Sequence, residues 1–247
     1  MRLARVFRGR PPPDEVPLGH IADEVEAVTT ARLTADVLVS RGDGRTLPVR
    51  HEGFWDYRHH LGFIRISTGE VIAHHLHAGP DVLCRLTPEE QQRTGMTWRW
   101  ESPADPGWEN HRAETVAAIR HRAVPVAATV EEHDGERLRR FSLRIRPRRH
   151  ETDPLLAGLY QRCERHGIKK LTYDVWLTAD GRLRRTCEGV TILRSHARPG
   201  SIASITETQW DFGVVVEDLV APRPHEIIRP RVEPGLTVLI DGRVSPY

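Results

Sequence analysis

From Leu33 onward the chain alternates: Leu33, Ala35, Val37 and Val39 fall on one face, against Thr34, Asp36 and Ser40 on the other. This is the period-2 signature of a half-buried β-strand. Just upstream, Ile21, Val25 and Val28 recur at i, i+4 and i+7, which predicts a short amphipathic helix. Similar runs predict strands near 46–57, 60–67, 70–77, 81–86, 97–101, 124–132, 136–147, 168–178, 182–193 and 201–212, with a last extended piece at 213–228. Arg41-Gly42-Asp43-Gly44, Thr68-Gly69, His133-Asp134-Gly135 and Asp180-Gly181 supply turn chemistry between them, and Thr68-Gly69 reads as a two-residue hairpin turn. Helix-favouring residues at 87–92 and 109–120 interrupt the strands. The best-marked helix begins at Asp153-Pro154, carries Leu155, Leu156, Leu159, Tyr160 and Cys163 as its apolar stripe, and stops at Gly167. Those are an N-cap followed by proline at the first helical position, and a glycine C-cap.

Some ten strands in successive hairpins, with two or three helices between them, predict an α+β fold built on a long antiparallel meander. So long a meander curls or closes. Helices between the hairpins are expected to cover the concave face of such a curved sheet, with a cavity between the two layers. One domain over 19–228 is expected, after an irregular leader at 1–18 and before an extended tail at 229–247.

Composition changes this picture little. The formal charge is +2 and the basic residues are almost all Arg, Lys occurring only at Lys169 and Lys170. No global field favours nucleic acid, and interleaved exposed aromatics are absent from the Arg-rich run at 137–149. There Phe141, Leu143 and Ile145 alternate with Arg140, Arg144 and Arg146, which fits one apolar and one solvated face, with an anionic partner as the sharper alternative. The three cysteines, Cys84, Cys163 and Cys187, show no CxxC spacing. No apolar run reaches the roughly 18–20 residues of a membrane span. The first residues are charged but lack the apolar core of a secretory signal, so the sequence predicts a cytoplasmic location.

Histidines are the most suggestive chemical group. With Thr68-Gly69 as the turn, His60 is expected opposite His77 and Gly62 opposite His75, so that His60, His75 and His77 share a hairpin face. Three imidazoles with an open fourth position would suit a hydrolytic Zn²⁺; the plainer reading is polar residues on a solvated face or at a cavity rim. These three and Asp174 are the candidate catalytic residues, although an Asp beside Arg on a strand face is most simply a structural pair. Trp55, Tyr57, Phe63, His74, Trp98, Trp100, Tyr173 and Trp176 are candidates for lining a ligand cavity, or equally for plain core packing. No GxSxG, P-loop, HExxH or dinucleotide fingerprint occurs, and no cofactor is expected.

Residues 171–185, Leu-Thr-Tyr-Asp-Val-Trp-Leu-Thr-Ala-Asp-Gly-Arg-Leu-Arg-Arg, resemble a strand–turn–strand of the LolA-like group, specifically actinobacterial lipid-carrier lipoproteins of the LppX/LprG type. Asp211-Phe212-Gly213, the valines Val214 to Val216 and Ala221-Pro222 are similar to their closing strand and exit. The resemblance spans roughly 19–228. It implies a half-barrel with helices in its mouth that binds acyl chains or glycolipids, although fold alone does not transfer function. The chain departs from these exported, often lipid-anchored proteins in having no signal and no cysteine before Cys84. Binding of a hydrophobic or lipid-like small molecule is therefore the first functional expectation. A cytoplasmic enzyme of specialised metabolism, performing a cyclisation or hydrolysis in the same cavity, is the second. A scaffold subunit whose protein partner fills the mouth is the third.

Overall fold

A computed structural model describes residues 17–41, 45–103, 111–193, 201–215, 220–229, 238–240 and 243–245. The expected leader up to residue 16 and the glycines of the 41–44 turn lie outside them. The elements run α1 (Leu18–Ala27), β1 (Thr30–Ser40), β2 (Thr46–Asp56), β3 (Leu61–Thr68), β4 (Val71–Ala78), β5 (Asp81–Arg85), α2 (Pro88–Thr94) and β6 (Trp98–Pro103). They continue with α3 (His111–Arg122), β7 (Ala123–His133), β8 (Glu136–Ile145), α4 (Pro154–His166), β9 (Ile168–Leu177), β10 (Leu183–Ile192), β11 (Ile202–Trp210) and β12 (Ile227–Ile228). A separate two-stranded ribbon, β13 (Val238–Ile240) with β14 (Arg243–Ser245), falls where an extended tail was expected.

Twelve strands form one open sheet in the order β12-β6-β5-β4-β3-β2-β1-β11-β10-β9-β8-β7. It is the expected α+β, half-barrel class of architecture, but not one continuous meander. Two meanders, β1–β6 and β7–β11, are joined where β1 pairs antiparallel with β11. That contact spans more than 160 residues, so no local pattern announces it. Among its described residues, the last predicted extended piece contributes β12, a two-residue edge strand parallel to β6.

Local chemistry explains the helix ends. Thr87 accepts a hydrogen bond from the Glu90 N–H while the Glu90 carboxylate accepts from the Thr87 N–H, a reciprocal capping box that opens α2. Asp153 accepts from the N–H groups of Leu155 and Leu156 at 2.8 and 3.2 Å. Gly167 closes α4 at φ +63, a conformation that glycine adopts without strain.

Helices α1, α3 and α4 pack against β7–β10 on what is here called the inner face of the sheet. Ile21, Ile119, Leu156 and Leu159 from the helices meet Phe141, Leu143 and Val175 from the strands in the main core. Ion pairs tie the helices together: Arg162 to the buried Glu114 at 2.7 Å, and Arg120 to Asp23 at 2.6 Å. Arg112 donates to the backbone carbonyls of Val25 and Glu26, satisfying the C-terminal end of α1.

The β3–β4 hairpin corrects one expectation. Thr68 pairs with Val71, so the turn is Gly69-Glu70, with Gly69 at φ +57. A slip of two residues moves every partner but flips no face, because side chains alternate with period 2. Gly62 therefore faces His77 and Ile64 faces His75. His60 lies in the preceding turn at φ +51, exposed, where its carbonyl accepts from the Gly79 N–H at 3.1 Å. The expected trio of His60, His75 and His77 across one hairpin is not formed.

Candidate functional site

The pairing of β1–β5 orders their inner-face side chains into rows. One row is Ala31, Trp55, Gly62, His77 and Val82; the next is Leu33, Gly53, Ile64, His75 and Cys84. A third is Ala35, His51, Ile66 and Ala73, and a fourth starts with Val37 and Val49. Leu33, Trp55 and Ile64 make a small buried cluster here, with Tyr57 and Ile66 against it. Around it Val39, Leu47, Val49, Ile66 and Ile205 are only half-buried. The result is a half-buried apolar strip beside the helix-covered core.

Trp55 sets the strip's shape. A Cβ on Gly62 would come within 1.8 Å of the Trp55 ring, so that position must be glycine for the indole to lie flat across β3. His77 meets the same ring edge-on, 5.1 Å between centroids. Burial, and then the neighbouring His75 and His51, push His77 down to about 4. Burial and His75 also lower His51. Both imidazoles are therefore neutral near pH 7, which suits an apolar surface. His75 instead pairs with Glu101, Nε2 to Oε2 at 3.3 Å.

A chain of polar groups separates strip from core. The Tyr57 hydroxyl donates to Gln209 Oε1 at 2.7 Å, and Gln209 Nε2 donates to Glu207 Oε1 at 2.6 Å. Glu207 stands directly across from Glu188, which pairs with His111 at 3.2 Å. Burial raises Glu207, and the facing Glu188 adds to the rise. For Glu188, burial acts in the same direction but is outweighed by His111 and Arg162, so its carboxyl titrates below the ordinary range. His111 mirrors this: burial opposes its charge, yet the Glu188 carboxylate holds it above its ordinary value. Tyr57, Arg112, Tyr173 and Thr186 join His111, Glu188 and Gln209 around a cavity of about 30 Å³, roughly one water's room. Arg112 also stacks on Tyr57, 4.2 Å from its centroid.

The residues singled out in the sequence divide between the faces. Trp55, Tyr173, His75 and His77 are on the inner face, and Tyr57 follows β2 at its edge. On the outer face, Phe63 stacks on His74 at 5.7 Å, and Trp98 lies in line with Trp100, whose Nε1 donates to Asp81 at 2.8 Å. Trp176 is also outside, between Arg140 and Arg185, its Nε1 donating to Glu131 at 2.9 Å. Asp174 beside it pairs with Arg140 at 2.7 Å. Sequence reasoning missed His51, Cys84, Glu101, His111, Glu188 and Glu207. His51 could have been found from its period-2 spacing with Val49, Gly53 and Trp55; the others depend on which strands are neighbours.

No family model matches the chain, and no curated protein matches it. Among solved structures it is similar to the lipoprotein LppX of Mycobacterium tuberculosis, with 13% identity over 81% of this chain and 96% of that one, TM-score 0.48. It is similar to LprF of Mycobacterium bovis, with 13% identity over 87% and 99% of the two chains, TM-score 0.46. A LolA superfamily protein of Nitrosomonas europaea matches at 13% identity over 80% and 93%, TM-score 0.28.

Proposed function

We propose that the protein holds a hydrophobic, acyl-chain-like ligand along the inner face of β1–β5 and β11. The observation that carries this reading is the half-buried apolar strip of Val39, Leu47, Val49, Ile66 and Ile205, continuous with a fully buried core yet itself incompletely covered. A ligand burying about 300 Å² of apolar surface there gains roughly 7 kcal/mol at 25 cal/mol per Å². Losses of translational and rotational freedom reduce that gain. The polar chain from Tyr57 to His111 would orient a headgroup at the edge of the strip, as a few polar groups do in apolar sites. The neutral His51 and His77 present no charge to an acyl chain.

The test is titration of the full chain with a fluorescent fatty acid, together with native mass spectrometry of the purified protein. Val49→Glu combined with Ile66→Glu should weaken binding at least about 10-fold, because it places unpaired charge along the chain's path. Unchanged affinity in that variant, with the fold retained by circular dichroism, would reject the strip as the binding surface.

A further inference from the structure

We infer that His75, Cys84 and Glu101 form a Zn²⁺-binding site on the inner face of β4, β5 and β6. Three adjacent strands present these side chains. His75 and Cys84 are directly opposed partners, and Cys84 in turn faces Arg99. Glu101 follows Arg99 by two residues and so returns to the same face. The irregularity opposite Val82 and Leu83 leaves Glu101 without a cross-strand partner of its own. The imidazole nitrogen, thiol sulfur and carboxylate oxygen all lie within 4.8 Å of one another, and the nitrogen–oxygen separation is 3.3 Å.

With bonds of about 2.0–2.3 Å, tetrahedral zinc separates neighbouring donors by about 3.3–3.7 Å. Small side-chain rotations would close the triad to that spacing, with no strand moving. The donor set selects the ion. Thiolate and imidazole favour Zn²⁺ over Mg²⁺ or Ca²⁺, which take oxygen ligands. Three protein donors leave a fourth position, the pattern of an open zinc site. His51 and His77 share that sheet face with the triad. Arg99, the cross-strand neighbour of Cys84, pairs with Glu90 at 3.6 Å and also interacts with the Cys84 thiol. Placement on three paired strands holds the donors more precisely than loops would.

The site differs from the one that the sequence predicts. His60 is absent from it, His75 is retained, and the remaining donors come from β5 and β6. It does not depend on the proposed acyl ligand, because the probe is the metal alone.

The experiment uses the full chain stripped with a chelator, titrated with Zn²⁺ by calorimetry and with Co²⁺ by absorption. The expected result is one Zn²⁺ per chain with a Kd below about 1 μM, and a sulfur-to-cobalt charge-transfer band. Cys84→Ser should abolish the band, and both it and His75→Ala should weaken Zn²⁺ at least about 100-fold, at or beyond the range typical for losing a supporting contact. Glu101→Gln should weaken it about 10-fold. Glu101 is 43% exposed, so this variant keeps the fold and decides the matter if the others do not fold. Cys163→Ser and Cys187→Ser should keep the band. Absence of stoichiometric binding, a band that survives Cys84→Ser, or unchanged affinity in Glu101→Gln would overturn the site.

Discussion

Two halves of one sheet face share a side-chain period but not a fate. Under α1, α3 and α4, Phe141, Leu143 and Val175 are at most 1% exposed and join a continuous core. Along β1–β5 the same alternation leaves Val49, Ile66 and Ala73 half-buried, and mixes in His51, His75, His77 and Cys84. Period 2 says only that a strand has an apolar face; the helices decide which part of that face becomes core. The other half carries imidazoles and a thiol among its half-buried side chains.

The largest expected effect tests that contrast directly. Phe141→Ala should destabilise the fold by about 3–5 kcal/mol, because the surrounding core cannot collapse into the cavity. Ile66→Ala, in the other half, should lose about 1–2 kcal/mol, since part of its surface already meets solvent. Urea unfolding of both variants checks this, and equal losses would erase the distinction between the halves.

Gly62→Val should cost about 1–3 kcal/mol by driving a side chain into the Trp55 ring. A changed tryptophan emission in the folded state would accompany it, sharpening the claim that the indole shapes the strip. Asp153→Ala should cost about 1 kcal/mol by removing the α4 cap, and Asp153→Asn should cost far less. Thermal unfolding separates these two. A larger effect would show that α4 contributes more than a lid over its own half.

The smallest effect is electrostatic and lies at the boundary between the halves. His111 is held above its ordinary 6.5, so its contribution is complete below about 6.5 and fades as pH rises through its folded value. Glu188 is held below its ordinary 4.5, so its contribution is complete above about 4.5 and fades as pH falls through its folded value. Glu188→Gln should therefore lose most stability between about pH 4.5 and 6.5. The loss should stay under about 1 kcal/mol, since the His111 side chain is 43% exposed and relief of the facing Glu207 offsets part of it. Denaturant midpoints across that range, with the His111 titration followed by NMR, provide the check.

Much of the fold was legible because it is local. The N-cap at Asp153, the stop at Gly167 and the alternation from Leu33 to Val39 each follow from residues within one element. The hairpin turn at 69–70 was misplaced by a single position, since Thr68-Gly69 and Gly69-Glu70 offer glycine equally well and both keep the same faces. The site was less legible. Of the expected histidines, His75 and His77 lie on the inner face, while His60 falls in the turn between β2 and β3.

The sequence by itself determined the antiparallel strands, the ends of α4 and the existence of an apolar face, because hydrogen-bonding geometry and side-chain alternation act over a few residues. Only the tertiary structure decided that β1 lies beside β11, that three helices cover β7–β10 while Val49, Ile66 and Ala73 stay half-buried, and that Glu101 reaches His75 and Cys84. The neighbouring of β1 with β11 and the placing of Glu101 beside His75 and Cys84 depend on contacts between segments far apart in the chain, where burying apolar area fixes which strands become neighbours, and no local pattern records that choice.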